Sequence, residues 1–353
     1  MARIIVFFLA FSFVVTATPI NKAVSTVSNE TFFADAQHCY PGLGCFTSHG
    51  PGGQFPMTPH EIGTTFYAYT AASSSVAHIL DASKPATFSM VNAHKRLAIL
   101  IHGFTSSHED SHLQSIKTNM LHHSNGEVGT VIVVDWRHGA SALALPPYLR
   151  AASNTQVVGH QVAHLVEELR KHHGVNPHNV YIVGHSLGAQ SAGFAGRYAL
   201  STFHWKLGRI TALDAAAPSF ENHPGTFLTK NDAVFVDAIH TSASKDHNPL
   251  NGVFGFVHAF AHLDFYPNDG HNQPKCHNPL EIACHHEAAL LYYDASLSAH
   301  NSCKFYGFSC HDWATFHAHH CTKHDAEMGY FADKIHASGV RFLATTEKYP
   351  FCH

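Results

Sequence analysis

From Leu97 onward the chain alternates short apolar runs with segments of helical periodicity. Ala98 to Ile101, Thr130 to Val134, Val180 to Val183, Ile210 to Leu213 and Val234 to Ile239 are apolar and rich in branched residues, as strands covered on both faces must be. Between the second and third runs, Val158, Val162, Leu165, Val166 and Leu169 recur at helical spacing and give one helix a core-facing stripe. Strand, helix and strand in that order make a βαβ unit. Its repetition predicts an α/β fold, a mostly parallel central sheet flanked by helices. The Gly- and Pro-rich passage from Pro41 to Pro59 reads as an irregular wrap ahead of the sheet. No internal repeat, low-complexity tract or linker divides the remainder, so residues 18–353 are expected to form one large domain.

The first residues break this pattern. In MARIIVFFLAFSFVVTATP, Arg3 precedes an apolar run from Ile4 to Val15, and Val15-Thr16-Ala17 offers small residues for cleavage. Residues 1–17 are expected to be a signal peptide, the other reading being an uncleaved N-terminal anchor. No later stretch approaches the roughly 20 apolar residues of a membrane span, so no transmembrane segment is expected. All eight cysteines follow the leader, which predicts a secreted chain with four disulfides whose pairing composition leaves open. Asn29-Glu30-Thr31 is a glycosylation sequon.

Charge narrows the function. The formal net charge is −4, and the 21 Lys and Arg are scattered, which excludes a nucleic-acid footprint. Histidine is abundant at 35 copies, yet no interval matches a zinc pattern such as HExxH. His317, His319, His320 and His324 come closest, and no metal is expected.

The sharpest chemical signal is VYIVGHSLGAQSAGFAG. A buried strand ends at Val183, Gly184 and Gly188 bracket Ser186, and a helix of small residues begins. This is the pattern of a nucleophile elbow, a tight turn that lifts a serine hydroxyl above the sheet beside unbonded helix N–H groups. Such a serine needs a histidine to take its proton and a carboxylate to orient that histidine. Asp214, at the end of the strand in RITALDAAAP, stands where the acid belongs in the chain order of α/β-hydrolases, although a strand-end Asp also serves as a turn or helix cap. Among so many histidines, position does not select the base.

Several ordered blocks resemble the pancreatic lipase family, from Cys39 almost to the C-terminus. HCYPGLGCF resembles its N-terminal disulfide loop, LAILIHGFTSS its oxyanion block, VVDWRHGA the strand that follows, and GHSLGAQ its elbow. GRITALDAAAP resembles the acid block, HLDFYPNDG and QPKC the approach to the lid, and MGYFADK a distal structural signature. The resemblance implies an α/β-hydrolase fold with Ser186 as nucleophile, Asp214 as acid and His286, two positions after Cys284, as base. It implies an oxyanion hole from the backbone N–H groups of Phe104 and Leu187; His102 reads as a structural hydrogen-bonder beside it. It also implies disulfides Cys39–Cys45, Cys276–Cys284 and Cys310–Cys321, which leaves Cys303 and Cys352 as a pair by exclusion.

The departures from that family shape the expected partners. Only the seven residues His277 to Ala283 separate the lid cysteines, a short lid like that of phospholipase A1 and broad-specificity members. The loop from Thr241 to Ala261 is long, as in members that hydrolyse triglyceride and galactolipid. Its Leu250, Val253, Phe254, Phe256, Val257 and Phe260 read either as an acyl-binding and lipid-contacting wall or as core. Ending at His353, the chain is expected to lack a C-terminal β-sandwich domain and to need no colipase. Asp232 is the one surviving carboxylate of the family's calcium site and reads as a turn residue. Gln190, Ala215 and Asp269 replace the family's usual His, Pro and Gly. The expectation is a secreted, cofactor-independent serine ester hydrolase acting on acylglycerols or phospholipids at a micelle, droplet or membrane surface. The rival is a non-catalytic lipid carrier or yolk-type storage protein on the same fold.

Overall fold

Every one of the five apolar runs is a strand, each slightly longer than its apolar stretch. The computed structural model describes residues 36–352 apart from 142–146, 244–252, 279 and 322–323, so the leader 1–17, Asn29 and Leu250 lie outside the described residues. A hairpin of β1 (His38–Tyr40) and β2 (Gly44–Phe46), closed by the Cys39–Cys45 disulfide, comes first. The helix α1 (Pro59–Ile62) follows, then the antiparallel pair β3 (Thr65–Thr70) and β4 (Ser73–Leu80). The predicted strands are β5 (Arg96–Ile101), β6 (Val128–Asp135), β7 (Val180–His185), β8 (Leu207–Leu213) and β9 (Ala233–Ile239). Between them run α2 (Ser111–His123), α3 (Pro147–His173) and α4 (Leu187–Tyr198). Beyond lie β10 (Leu263–Pro267), α5 (Cys284–Ser298), β11 (Tyr306–Phe308), α6 (Trp313–His317), β12 (His324–Glu327) and β13 (Gly339–Leu343).

One sheet holds all but the first two strands, in the order β12-β11-β13-β10-β9-β8-β7-β5-β6-β3-β4. The strands from β13 to β6 are parallel, and antiparallel strands complete both edges. Alternation along β5 splits the core. Leu97, Ile99 and Ile101 pack with the Val158–Leu169 stripe of α3, whereas Ala98 and Leu100 pack with Leu113 and Ile116 of α2 and Tyr292 and Tyr293 of α5. This is the α/β-hydrolase arrangement.

The strand order places the chemistry. β5 lies between β6 and β7, so the chain leaves β5 toward one side of the sheet and later returns to its other side. At such a switch point the loops after β5 and β7 diverge and open a crevice at the carboxyl ends of the strands. Phe104 follows β5, and Ser186 follows β7.

Two features stabilise this frame without taking part in the chemistry. Arg209 of β8, only 3% exposed, makes a bidentate ion pair with Asp237 on β9 at 2.8 and 3.0 Å and also donates to the carbonyls of Gly329 and Tyr330. A buried charge is tolerated only with such complete pairing, which explains why the MGYFADK segment must sit there. All four disulfides pair as the sequence analysis expects, Cys303 with Cys352 included.

His160 on α3 stacks on Tyr198 at 3.8 Å and donates from Nδ1 to the Leu43 carbonyl at 2.7 Å. Burial pushes its pKa down to about 4. The unfolded chain therefore binds one more proton there, so the stabilisation is complete above about pH 6.5 and is lost as pH falls toward 4. His160→Gln keeps a donor and removes the titration. Urea denaturation at pH 7 and pH 5 is expected to show a shallower acid decline, by up to about 1.4 kcal/mol per pH unit. An unchanged slope would contradict the burial argument.

Candidate active site

The elbow is built by close approach. At Gly188 an added Cβ would overlap the carbonyl oxygen of Ile101, and at Gly184 it would overlap the backbone of Gly188 and Ala189. With both glycines present, α4 starts directly against β5 and β7. Ser186 between them is held at φ 57°, ψ −122°, a conformation costly for a residue with a side chain. Its backbone is fixed on both sides, its N–H donating to Leu213 O at 3.1 Å and its carbonyl accepting from Ala216 N–H at 3.2 Å.

Leu187 is the first residue of α4, so its N–H has no intrahelical partner. The Phe104 N–H likewise donates to no acceptor among the described residues, although Thr105 N–H beside it bonds Ala140 O at 2.7 Å. Gly103 lies against Ser186, so the Phe104 loop borders the hydroxyl. His102 anchors that loop: Nδ1 donates to Gly103 O at 2.9 Å and Nε2 accepts from Trp136 N–H at 3.1 Å. Trp136 Nε1 in turn donates to His102 O at 2.9 Å. The histidine is thus fully used as a structural hydrogen-bonder.

Asp214 directly follows β8 at φ 44° and is wholly buried. His286, in the first turn of α5, places Nδ1 2.5 Å from Asp214 Oδ2. Burial opposes the Asp214 charge, but hydrogen bonds from His286, Ser242 and the Thr241 N–H hold its carboxyl below the usual range. The His286 ring lies 4.6 Å from His185 and 5.2 Å from Phe254. His185 donates from Nε2 to His286 O at 3.2 Å, and burial followed by the neighbouring His286 depresses its pKa to about 3. It is a neutral clamp on the start of α5. Among the described residues no hydrogen bond joins the Ser186 hydroxyl to the His286 ring, and in ligand-free sites such contacts often close only with substrate bound.

The structure brings Ser186, Asp214, His286, Phe104 and Leu187 to one end of the sheet, as the sequence analysis expects. Asp232 is a turn residue: it closes a capping box with Thr229 and pairs with Arg197 at 2.8 Å. Among the described residues no three His, Cys, Asp or Glu side chains gather as a metal-binding group. Of the two readings of the long loop, Phe256 takes the core one: it is 1% exposed and packs on Phe227 and Phe260. Phe254 instead lies against the His286 ring. Sequence reasoning missed Ser242, which bonds Asp214, and the role of Gln190, which ties α4 to the acid loop through Ala216 O at 2.7 Å and Leu228 N–H at 2.9 Å. No motif marks a lone serine after β9.

The family model described as Lipase matches residues 38–351. The chain belongs to the lipase family. It is similar to pancreatic lipase-related protein 2 of Cavia porcellus, 36% identical over 314 residues that cover 85% of this chain and 68% of the relative. It is similar also to pancreatic triacylglycerol lipase of Oryctolagus cuniculus, 33% identical over 334 residues, 86% of this chain and 68% of that protein. Pancreatic lipase-related protein 2 of Myocastor coypus is 34% identical over 351 residues, with shares of 89% and 71%. Like its relatives, this lipase-family chain is a carboxylic ester hydrolase. Among the described residues no helix is long and apolar enough to cross a membrane.

Proposed function

We propose that this lipase-family protein is a secreted enzyme that releases fatty acids from glycerolipids, triacylglycerol or the first position of phospholipids, with Ser186, Asp214 and His286 as its triad. The observation that carries the reading is the elbow itself: Ser186 at φ 57°, with the Phe104 and Leu187 N–H groups unbonded among the described residues and the His286–Asp214 pair at the same end of the sheet. His286 Nε2 takes the Ser186 proton as Oγ attacks the ester carbonyl. Asp214 keeps the other ring nitrogen protonated and stabilises the imidazolium. The oxyanion lies between the Phe104 and Leu187 amides, which cost no reorganisation because the sheet has already fixed them. The glycerol oxygen leaves with the proton from His286, and water, deprotonated by the same ring, releases the acid from the acyl-enzyme.

Lipid enters from an apolar surface. Leu280 and Ile282, in the short loop closed by Cys276–Cys284, are 86% and 47% exposed and immediately precede the helix that bears His286. Apolar area transferred into a lipid surface stabilises contact by about 25 cal/mol per Å². The four disulfides support an extracellular location, with residues 1–17 removed and 18–353 forming the hydrolase domain.

Fatty-acid release from triolein, phosphatidylcholine, galactolipid and a short-chain ester, with Ser186→Ala as the blank, tests the reading. Serine-dependent release is expected from at least one of the lipids, and none from any of the four would defeat it. Replacing Leu280 and Ile282 together with serine is expected to slow attack on the emulsion about fivefold while changing the soluble ester less than about twofold. Equal losses on both would remove the surface role of this loop.

A further inference from the structure

A buried carboxylate needs a donor at each lone-pair direction it presents. Asp214 Oδ1 accepts from the Thr241 N–H at 2.7 Å and the Ser242 N–H at 3.0 Å. Oδ2 accepts from His286 Nδ1 and from the Ser242 hydroxyl, in a short hydrogen bond. Ser242 therefore meets the acid twice, from its backbone and from its side chain. Its Oγ also accepts from the Phe254 N–H at 3.3 Å and lies 3.4 Å from His286 Nδ1. A hydroxyl has one proton and two lone pairs. The Phe254 amide occupies one lone pair, Asp214 takes the proton, and the remaining lone pair faces the Nδ1–H of His286. Gly255 lets the loop cross so closely, because a Cβ there would overlap the Asp214 carboxylate.

We propose that Ser242 is a positioning residue for ester hydrolysis, holding Asp214 Oδ2 in line with His286 and fixing the imidazole proton on Nδ1. The proposal rests on the triad reading above. With that proton on Nδ1, the lone pair of Nε2 is the one offered to Ser186. Without the hydroxyl, the acid keeps three donors instead of four, the carboxylate binds a proton more tightly, and so does the Asp214–His286 pair as a unit. Loss of the acceptor contact to Nδ1 acts the opposite way, but at 3.4 Å it is the weaker interaction. Other titratable groups bear on the pair from neighbouring elements: His185 from β7 and His285 on α5, with Asp110 acting on His185 and His271 and Lys275 on His285. Neither His185 nor His285 hydrogen-bonds the Asp214 carboxylate, so the Ser242 substitution changes the pair alone.

The test measures kcat and KM for a soluble short-chain ester from about pH 5 to pH 9 in the full chain and in Ser242→Ala, Ser242→Thr and Ser186→Ala. Ser242→Ala is expected to lower kcat about tenfold with KM within about twofold, and to move the acid limb up by about half a pH unit. Ser242→Thr keeps the hydroxyl and is expected to return the limb to its original place. Circular dichroism at each pH follows the folded fraction, so acid unfolding, which His160 promotes below about pH 6.5, is separated from a shift of the limb itself. An unmoved limb in Ser242→Ala, or a Ser242→Thr limb that stays with the alanine variant, overturns the proposal. Undiminished turnover in Ser186→Ala would instead overturn the triad reading beneath it.

Discussion

Ser186→Ala is expected to fold and to hydrolyse a soluble ester about 10⁵-fold more slowly than the parent protein, because the proposed mechanism forms its acyl-enzyme on the Ser186 hydroxyl. What remains is the rate supported by the Phe104 and Leu187 amides acting on water attack. The substitution also isolates the energetic cost of the elbow. Alanine keeps a Cβ at φ 57°, ψ −122° and therefore keeps the backbone strain, whereas Ser186→Gly relieves about 1–3 kcal/mol of it. Glycine costs roughly 0.5–1 kcal/mol through the greater freedom of its unfolded chain. The glycine variant is thus expected to be at least as stable as the alanine variant in urea, and equally inactive. A glycine variant clearly less stable than alanine would show that the sheet and α4 impose no strain at this residue. An alanine variant with more than a tenth of the parent rate would place the nucleophile elsewhere.

Asp214→Asn is expected to cost about 10⁴ in kcat with little change in KM. The new Oδ1 can still accept from the Thr241 and Ser242 amides, so the buried turn keeps its bonds. The NH₂ group then replaces the oxygen that faces His286, and two donors cannot meet across 2.5 Å. His286 must turn its Nδ1 lone pair toward the amide and carry its proton on Nε2, where it can no longer accept from Ser186. Nitrogen NMR of the histidine ring would report the exchanged tautomer beside the kinetic loss. A variant that loses activity but keeps the proton on Nδ1 would mean that Asp214 acts by charge alone.

The parts of this molecule legible in its sequence are those where one physical demand dominates. Strands β5 to β9 are buried on both faces and show as apolar runs. The elbow shows because Gly184 and Gly188 have no substitute at such close approach. The edge strands were not read. β4, SSSVAHIL, is exposed along most of its length and carries no burial pattern, and β11 and β12 are three and four residues long. Asp214 could be placed only by its position after a strand, and His286 only by resemblance, since its partner lies 72 residues away in the chain. Phe254 and Phe256 are chemically identical and two residues apart, yet one lies against His286 and the other in the core. Hydrophobicity does not distinguish a binding wall from a packed interior. Arg209 illustrates the opposite case, a charge in an apolar strand whose partners on β9 and near Tyr330 exist only after folding.

The contact between Gly188 and the carbonyl of Ile101 constrains descent as well as shape. Any mutation of that codon to another residue adds a Cβ where a strand oxygen already lies, so α4 and β5 can drift only together. Under the lipase reading proposed above, a change of substrate is met at the least structural cost away from that contact, at exposed positions such as Leu280 and Ile282.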